Sequence, residues 1–371
     1  MGASLGFIPG FLATALSEDL DVSRGMIGLI VGIYFGATGI GSIPAGRFTD
    51  KFGARNVATI NMLLVAGSSL LIAFFHTYAM WIIGSVVGGM GYALGNTSTN
   101  VAIGHAVPLE RRALAMSVKT SGVPLMATIA AAITPWAANV WSWERVLVFN
   151  AIVAAISGIF TYFVLDDDRS ESTTGSAPIP LPKDFYWFGI AAFLLIGGSQ
   201  PLYSWTVSYL EESLNAPASL SGGIMAIASF TGVIVMICNG VWADRLGELK
   251  RIPLVMLLLS VSALSVCLVI LGTILGTFIV VIGLTLGVST QLAAIGTMHA
   301  AVIDKAPKSV GRATGITMTG YYLGALVTPA GFGLLVDISD TYIYSWLATL
   351  VILITAVGAW HRAGKVQTQR H

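Results

Sequence analysis

Lys119 is the one charged side chain of this chain that falls inside a long apolar run. An ammonium group held away from water is costly, so an ionisable residue in such a place marks a functional site by default. It opens the stretch Lys119, Thr120, Ser121, Gly122, Val123, Pro124, which is polar, weakens a helix and suits the wall of a cavity. All eighteen Asp and Glu lie between the apolar runs or at their ends, so none stands at the depth of Lys119. A cation so placed attracts an anion. Polar residues in other runs complete a candidate lining: Asn96 and Asn100 one helical turn apart, Gln291, Gln200 and Tyr203 beside Pro201, and Tyr321. Asn100 is as far from the end of its run as Lys119 is from its own, which makes the two expected neighbours. The competing reading is structural, because the lysine stem can carry its charge most of the ~10 Å back to the nearer end of the run.

Other chemistries lack their residues. Neither a His-Glu-x-x-His nor a Gly-x-Ser-x-Gly pattern occurs, so hydrolysis has no metal site and no activated nucleophile. The acidic run from Asp166 to Asp168 has no second cluster to face and reads as a solvated segment. Cys238 and Cys267 both sit in apolar runs, which excludes a disulfide framework or a zinc cluster. No enzyme activity, metal or cofactor is expected. A net charge of +1 without a concentrated basic face leaves no nucleic-acid partner.

The elements that must hold these residues follow from composition. Of 371 residues, 55% are hydrophobic and only 37 are charged, and the mean hydropathy is +0.82; a soluble protein is about a quarter charged. This is the composition of a membrane-embedded helical bundle. Apolar runs cover 1–16, 25–45, 57–75, 80–107, 113–138 and 146–165, and then 185–210, 220–243, 252–271, 273–302, 313–336 and 342–360. Twelve transmembrane helices are therefore expected, in a six-helix bundle over 1–165 and a second over 185–361. A polar linker at 166–184, with three prolines, joins them, and 362–371 forms a tail. Sixteen of the nineteen Lys and Arg fall on one side of such a bundle and only Arg24 and Arg145 on the other, with Lys119 inside a span. By the positive-inside rule both termini and the linker face the cytoplasm, which places the chain in the cytoplasmic membrane as a multi-pass protein. Trp141, Trp143 and Trp346 read as interfacial anchors. The first run reaches only about 24 Å of a ~30 Å hydrocarbon core, and a start upstream of Met1 is expected.

Two loops repeat. Gly46, Asp50, Lys51 and Gly53 after the second run recur at the same spacing as Gly240, Asp244, Arg245 and Gly247 after the eighth. Pro108 and Arg112 before the fifth run match Pro307 and Arg312 before the eleventh. With Arg55 completing the first copy, this pattern resembles the signature loop of the major facilitator superfamily of secondary transporters, over essentially the whole chain. The resemblance implies two six-helix bundles around a central cavity and alternating access by rocking of one half against the other. It implies that Asp50 meets the start of the eleventh helix near Arg312, and Asp244 the start of the fifth near Arg112, as gating contacts. The second copy has Glu248 and Leu249 where bases are usual, which predicts the stronger gating network at the first copy. Lys119, Ser121, Gly122 and Pro124 in the fifth run are similar to a stretch of the cyanate-type small-anion transporters. The implied function is transport of a small solute, an organic or inorganic anion, by a monomer in the lipid bilayer. A drug or neutral-solute exporter of the same fold, or a transporter-like sensor, is the alternative.

Overall fold

The computed structural model describes residues 2–22, 24–165, 180–291 and 293–368. Most of the expected linker, 166–179, and the last three residues of the tail lie outside the described residues, as does Met1. The described residues form helices and no strand: α1 (Ser4–Phe11), α2 (Ala13–Leu20), α3 (Arg24–Phe52), α4 (Ala54–Phe75), α5 (Tyr78–Ala106), α6 (Arg112–Val140), α7 (Trp143–Val164), α8 (Tyr186–Ser204), α9 (Thr206–Leu214), α10 (Ala218–Leu246), α11 (Glu248–Leu275), α12 (Thr277–Gln291), α13 (Ala293–Lys305), α14 (Val310–Ser339) and α15 (Ile343–Gly364). Among the described residues, nine helices are long and apolar enough to cross a membrane.

The helices expose large apolar side chains outward, as a bilayer-facing surface requires. On α7, Phe149, Ile152, Ile156, Ile159, Phe160 and Phe163 are exposed. It buries Trp143, Val146 and Leu147 in its first turns and Asn150, Ala151, Ala154 and Gly158 beyond them. The buried Asn150 meets its need for a partner by donating to Ser69 Oγ at 2.9 Å.

Contacts divide the chain into two compact units. The first holds Met1–Ala106, Gly122–Pro180 and Lys308–Thr319; the second holds Val107–Ser121, Leu181–Pro307 and Gly320–His371. Thus α6 and α14 each give their first turns to one unit and the remainder to the other. In the first unit α3 packs on α5, α5 on α4 and α4 on α7; in the second α10 packs on α12, α12 on α11 and α11 on α15. The same pairing scheme recurs, so the repeat seen in the loops extends to the packing. The first core gathers Leu5, Ile8, Tyr34, Trp81, Trp143 and Leu147. The second includes an aromatic group in which Trp205 stacks on Phe332 and Trp346 meets both Phe332 and Tyr209 edge-on. Two expected anchors are corrected here: Trp143 is 4% exposed and Trp346 fully buried, so both are core residues, whereas Trp141 is exposed. Trp143 also donates to Asp19 at 2.9 Å.

Candidate functional site

The first repeated loop closes on a helix start. The opening N–H groups of an α-helix have no partner within the helix and carry its positive dipole end. In the first unit, the Asp50 carboxylate near the end of α3 accepts the Gly311 N–H at 2.9 Å and the Arg312 N–H at 3.1 Å, in the first turn of α14. The two backbones meet through glycine. A Cβ on Gly46 would fall on the Gly311 carbonyl, and one on Gly311 would fall on an Asp50 carboxylate oxygen. Gly53 takes φ 83°, a turn between α3 and α4 that L side chains rarely adopt. Lys51 is exposed, and its ammonium lies 5.2 Å from the centre of the Phe52 ring. Arg55 lies 4.9 Å from the centre of the Tyr162 ring on α7.

The second loop makes the same cap and adds a buried ion network. In the second unit, Asp244 near the end of α10 accepts the Ala113 and Leu114 N–H groups, each at 2.8 Å, in the first turn of α6. Gly247 takes φ 80°, as Gly53 does in the first copy. Arg251, on the first turn of α11 and fully buried, donates to Asp244 at 2.8 Å, to Asp304 at 2.5 Å and to the Leu109 carbonyl at 2.5 Å. Asp304, near the end of α13, also accepts from Arg112 at 2.9 Å. Arg245 is exposed. Among the described contacts the second copy adds Arg251 and Asp304 to its cap. The missing bases of the loop are replaced by one guanidinium arriving from the next helix. Sequence reasoning missed Arg251 and Asp304; the signal was Arg251 standing directly before the apolar run that Ile252 begins.

The candidate lining residues divide between the units. Asn96 and Asn100 are buried in the first, where Asn100 Nδ2 donates to Thr314 Oγ1 at 3.4 Å. Lys119, Gln200, Tyr203, Gln291 and Tyr321 belong to the second. There Gln291 donates to Gln200 at 3.3 Å, and Gln200 to Ser204 at 3.4 Å. Tyr203 is exposed, and Tyr321 packs edge-on against Tyr322. Lys119 is half-buried.

At the opposite end of the second unit, Glu212, Asp337 and Asp340 with Ser213, Val336, Thr341 and Tyr342 line a cavity of about 430 Å³. The Tyr342 hydroxyl donates to Glu212 at 2.7 Å. No group of His, Cys, Asp and Glu suited to a metal ion occurs among the described residues.

A helical chain whose caps and glycine contacts sit at repeated loops matches one family throughout. The model of the Major Facilitator Superfamily matches residues 1–329, and the chain belongs to that family of multi-pass membrane transporters. It is 24% identical to the gentisate transporter of Corynebacterium glutamicum over 361 residues, covering 88% of this chain and 76% of that protein. It is 23% identical to the 4-hydroxybenzoate transporter of Acinetobacter baylyi over 158 residues, 43% of this chain and 35% of that protein. Among solved structures, the proton:xylose symporter bound to 6-bromo-6-deoxy-D-glucose superposes with a TM-score of 0.76 at 14% identity, covering 99% of this chain and 95% of that one. At that identity the likeness is one of fold.

Proposed function

We propose that this chain is a secondary active transporter that moves a small organic anion across the cytoplasmic membrane by alternating access. Its twelve spans form two six-helix bundles, 1–165 and 185–361, with the linker 166–184 and both termini in the cytoplasm. The sixteen-to-two split of Lys and Arg supports that orientation. The protein works as a monomer, and its substrate contacts come from Lys119, Asn96, Asn100, Gln200, Tyr203, Gln291 and Tyr321.

The single observation that carries the anion is Lys119, a cation on a helix wall of the second unit with polar residues around it. Two relatives are named for carboxylates, gentisate and 4-hydroxybenzoate, which supports the same charge. The caps at Asp50 and Asp244 act as latches. Each exists while the first turn of α14 or α6 stays beside the acid, and each is lost when that turn moves away. Gly46, Gly53, Gly240 and Gly247 let the backbones approach and turn, Arg112 ties α6 to Asp304, and Lys51, Arg55, Arg245 and Arg312 supply the surrounding positive charge.

Uptake by proteoliposomes tests the reading. Lys119→Gln keeps length and polarity and removes the charge, and a hydrogen bond to a charged group is worth about 1.5–3 kcal/mol. Apparent affinity for gentisate falls roughly ten- to a hundredfold, while uptake of neutral compounds is unchanged. Equal gentisate uptake by wild type and variant would sink the anion assignment.

A further inference from the structure

Arg362 stands exposed in the last turn of α15, with its guanidinium carbon 5.0 Å from the centre of the Trp187 ring at the start of α8. Lys365 follows one turn later and is also exposed. The ion pairs described above engage Arg112 and Arg251, and neither Arg362 nor Lys365 meets a carboxylate among the described residues. Two cations one turn apart repel unless an anion lies between them. Lys183, exposed as well, adds a third on the chain that leads into α8, where Asp184 is the one acid of the segment 180–190.

The end of α15 does not use these charges. The last carbonyls of a helix carry its negative dipole end, but here the Lys305 ammonium on α13 donates to the Gly364 and Val366 carbonyls, at 3.1 and 2.7 Å. Helix α8 brings its positive end to Arg362, with Phe185 at the cap position and no side-chain cap. Positive charge is thus in excess at this point of the second unit, and the bases stay available.

Toward the middle of α15 the surface changes character. This helix is long and apolar enough to cross a membrane, and the residues that precede Arg362 on its exposed face by successive turns are Gly358, Ile354 and Val351. A Cβ at Gly358 would meet nothing within 4 Å, so the helix backbone lies open there, and Ile354 and Val351 are 59% and 62% exposed. The Thr355 hydroxyl on this face donates to the Val351 carbonyl at 2.7 Å and so is satisfied without water. Helix α8 packs along α15, Phe188 against Trp360 and Gly198 against Leu353, and exposes Tyr186 and Ile190 near the basic end. Val351 lies about 16 Å from Arg362 along the axis, close to the ~15 Å hydrocarbon depth of one leaflet.

We propose that this ridge binds one anionic phospholipid of the bilayer: its phosphate lies against Arg362 and Lys365, its glycerol backbone over Gly358, and an acyl chain along Ile354 and Val351. Trp187 restrains the guanidinium through its ring face, and a phosphate takes two N–H groups of an arginine at once. A zwitterionic lipid brings its own ammonium to the same bases and gains less from them. The bound lipid ties the end of α15 and the start of α8 to one leaflet, whatever solute the protein carries.

The test is native mass spectrometry of the delipidated full chain, titrated with phosphatidylglycerol or with phosphatidylcholine of the same acyl chains. The first phosphatidylglycerol binds more tightly than the first phosphatidylcholine. Arg362→Gln and Lys365→Gln each weaken phosphatidylglycerol by roughly fivefold, the worth of one base near an anionic headgroup, and leave phosphatidylcholine within about twofold. Gly358→Leu fills the open backbone and weakens both lipids. Arg111→Gln removes another exposed base of the second unit, away from this ridge, and changes neither lipid by more than about twofold. Should Arg362→Gln unfold with the loss of its Trp187 contact, Lys365→Gln carries the test alone. Unchanged phosphatidylglycerol binding in the base variants that fold, or an equal loss in Arg111→Gln, would overturn the site. Displacement of the bound lipid by glycerol 3-phosphate would show a site for soluble phosphates and would overturn it too.

Discussion

At the end of α3, Asp50 holds two N–H groups of α14 and meets them across glycines at 46 and 311. At the end of α10, Asp244 holds two N–H groups of α6 in the same way and is itself held by Arg251, which also reaches Asp304 and Leu109. The repeated residues thus build the same backbone cap twice, and among the described contacts the second cap adds a buried charge network through Arg251 and Asp304. A cap is worth ~0.5–2 kcal/mol, whereas removing one partner from a buried ion pair costs about 3–5 kcal/mol because the other charge stays behind. The two caps share a design, and the network described at the second comes from a residue outside the repeated motif.

The largest expected effect is therefore at Arg251. Arg251→Met leaves Asp244 with its two backbone N–H groups and Asp304 with Arg112, and destabilises the protein by up to about 3–5 kcal/mol, read as a fall in the thermal unfolding midpoint in detergent. Adding Asp304→Leu recovers part of the loss, and a strictly additive double variant would break the account of a coupled network.

The second effect separates the two acids. Asp244→Asn loses the ion pair with Arg251 along with part of the cap, while Asp50→Asn weakens the cap on α14. Cysteine accessibility at the basic end of the helices, where Lys and Arg gather, rises in both and more in Asp244→Asn. Turnover falls more than affinity in each. Equal accessibility changes would reduce the two latches to one kind.

Third comes the glycine approach. Gly46→Ala puts a methyl on the Gly311 carbonyl, a backbone atom that cannot move without α14. Gly240→Ala meets the Ser117 hydroxyl at 2.6 Å and the Leu114 Cα at 3.0 Å, a softer contact in part. The Gly46 variant should show the greater cysteine accessibility at the start of α14, and the opposite order would mean that the second approach is the rigid one.

The smallest effect is at the exposed Arg245. Arg245→Ala changes stability by about 0.5 kcal/mol or less, measured in the same unfolding assay. A large change there would show that the loop, and not the guanidinium arriving from α11, carries the second network.

Which of these features could be read in the chain depends on how local their cause is. The spacing of Gly46, Asp50 and Gly53, repeated at Gly240, Asp244 and Gly247, is visible because a cap and a turn are built from neighbours within one loop. Lys119 stands out because one charge in an apolar run needs no partner to be noticed. Asp304 gives no such signal, since an acid at the end of a run is where acids normally lie, and its partners Arg112 and Arg251 are 192 and 53 residues away. The tryptophans teach the same lesson: Trp143 and Trp346 have an anchor's sequence context and a core residue's burial.

By itself, the sequence determined that the chain is helical and built for a membrane, because helix formation and burial in lipid depend on the composition of one segment at a time. It also determined where glycine must allow a turn and where an acid waits at a helix end. The tertiary structure alone decided which distant groups those residues meet. The Arg251 guanidinium reaches Asp244, Asp304 and the Leu109 carbonyl, and Gly240 and Gly296 admit Ser117 between two other helices. Charge pairing and hydrogen-bond satisfaction are properties of neighbours in space, and helices crossing one membrane bring together residues that no sequence spacing relates.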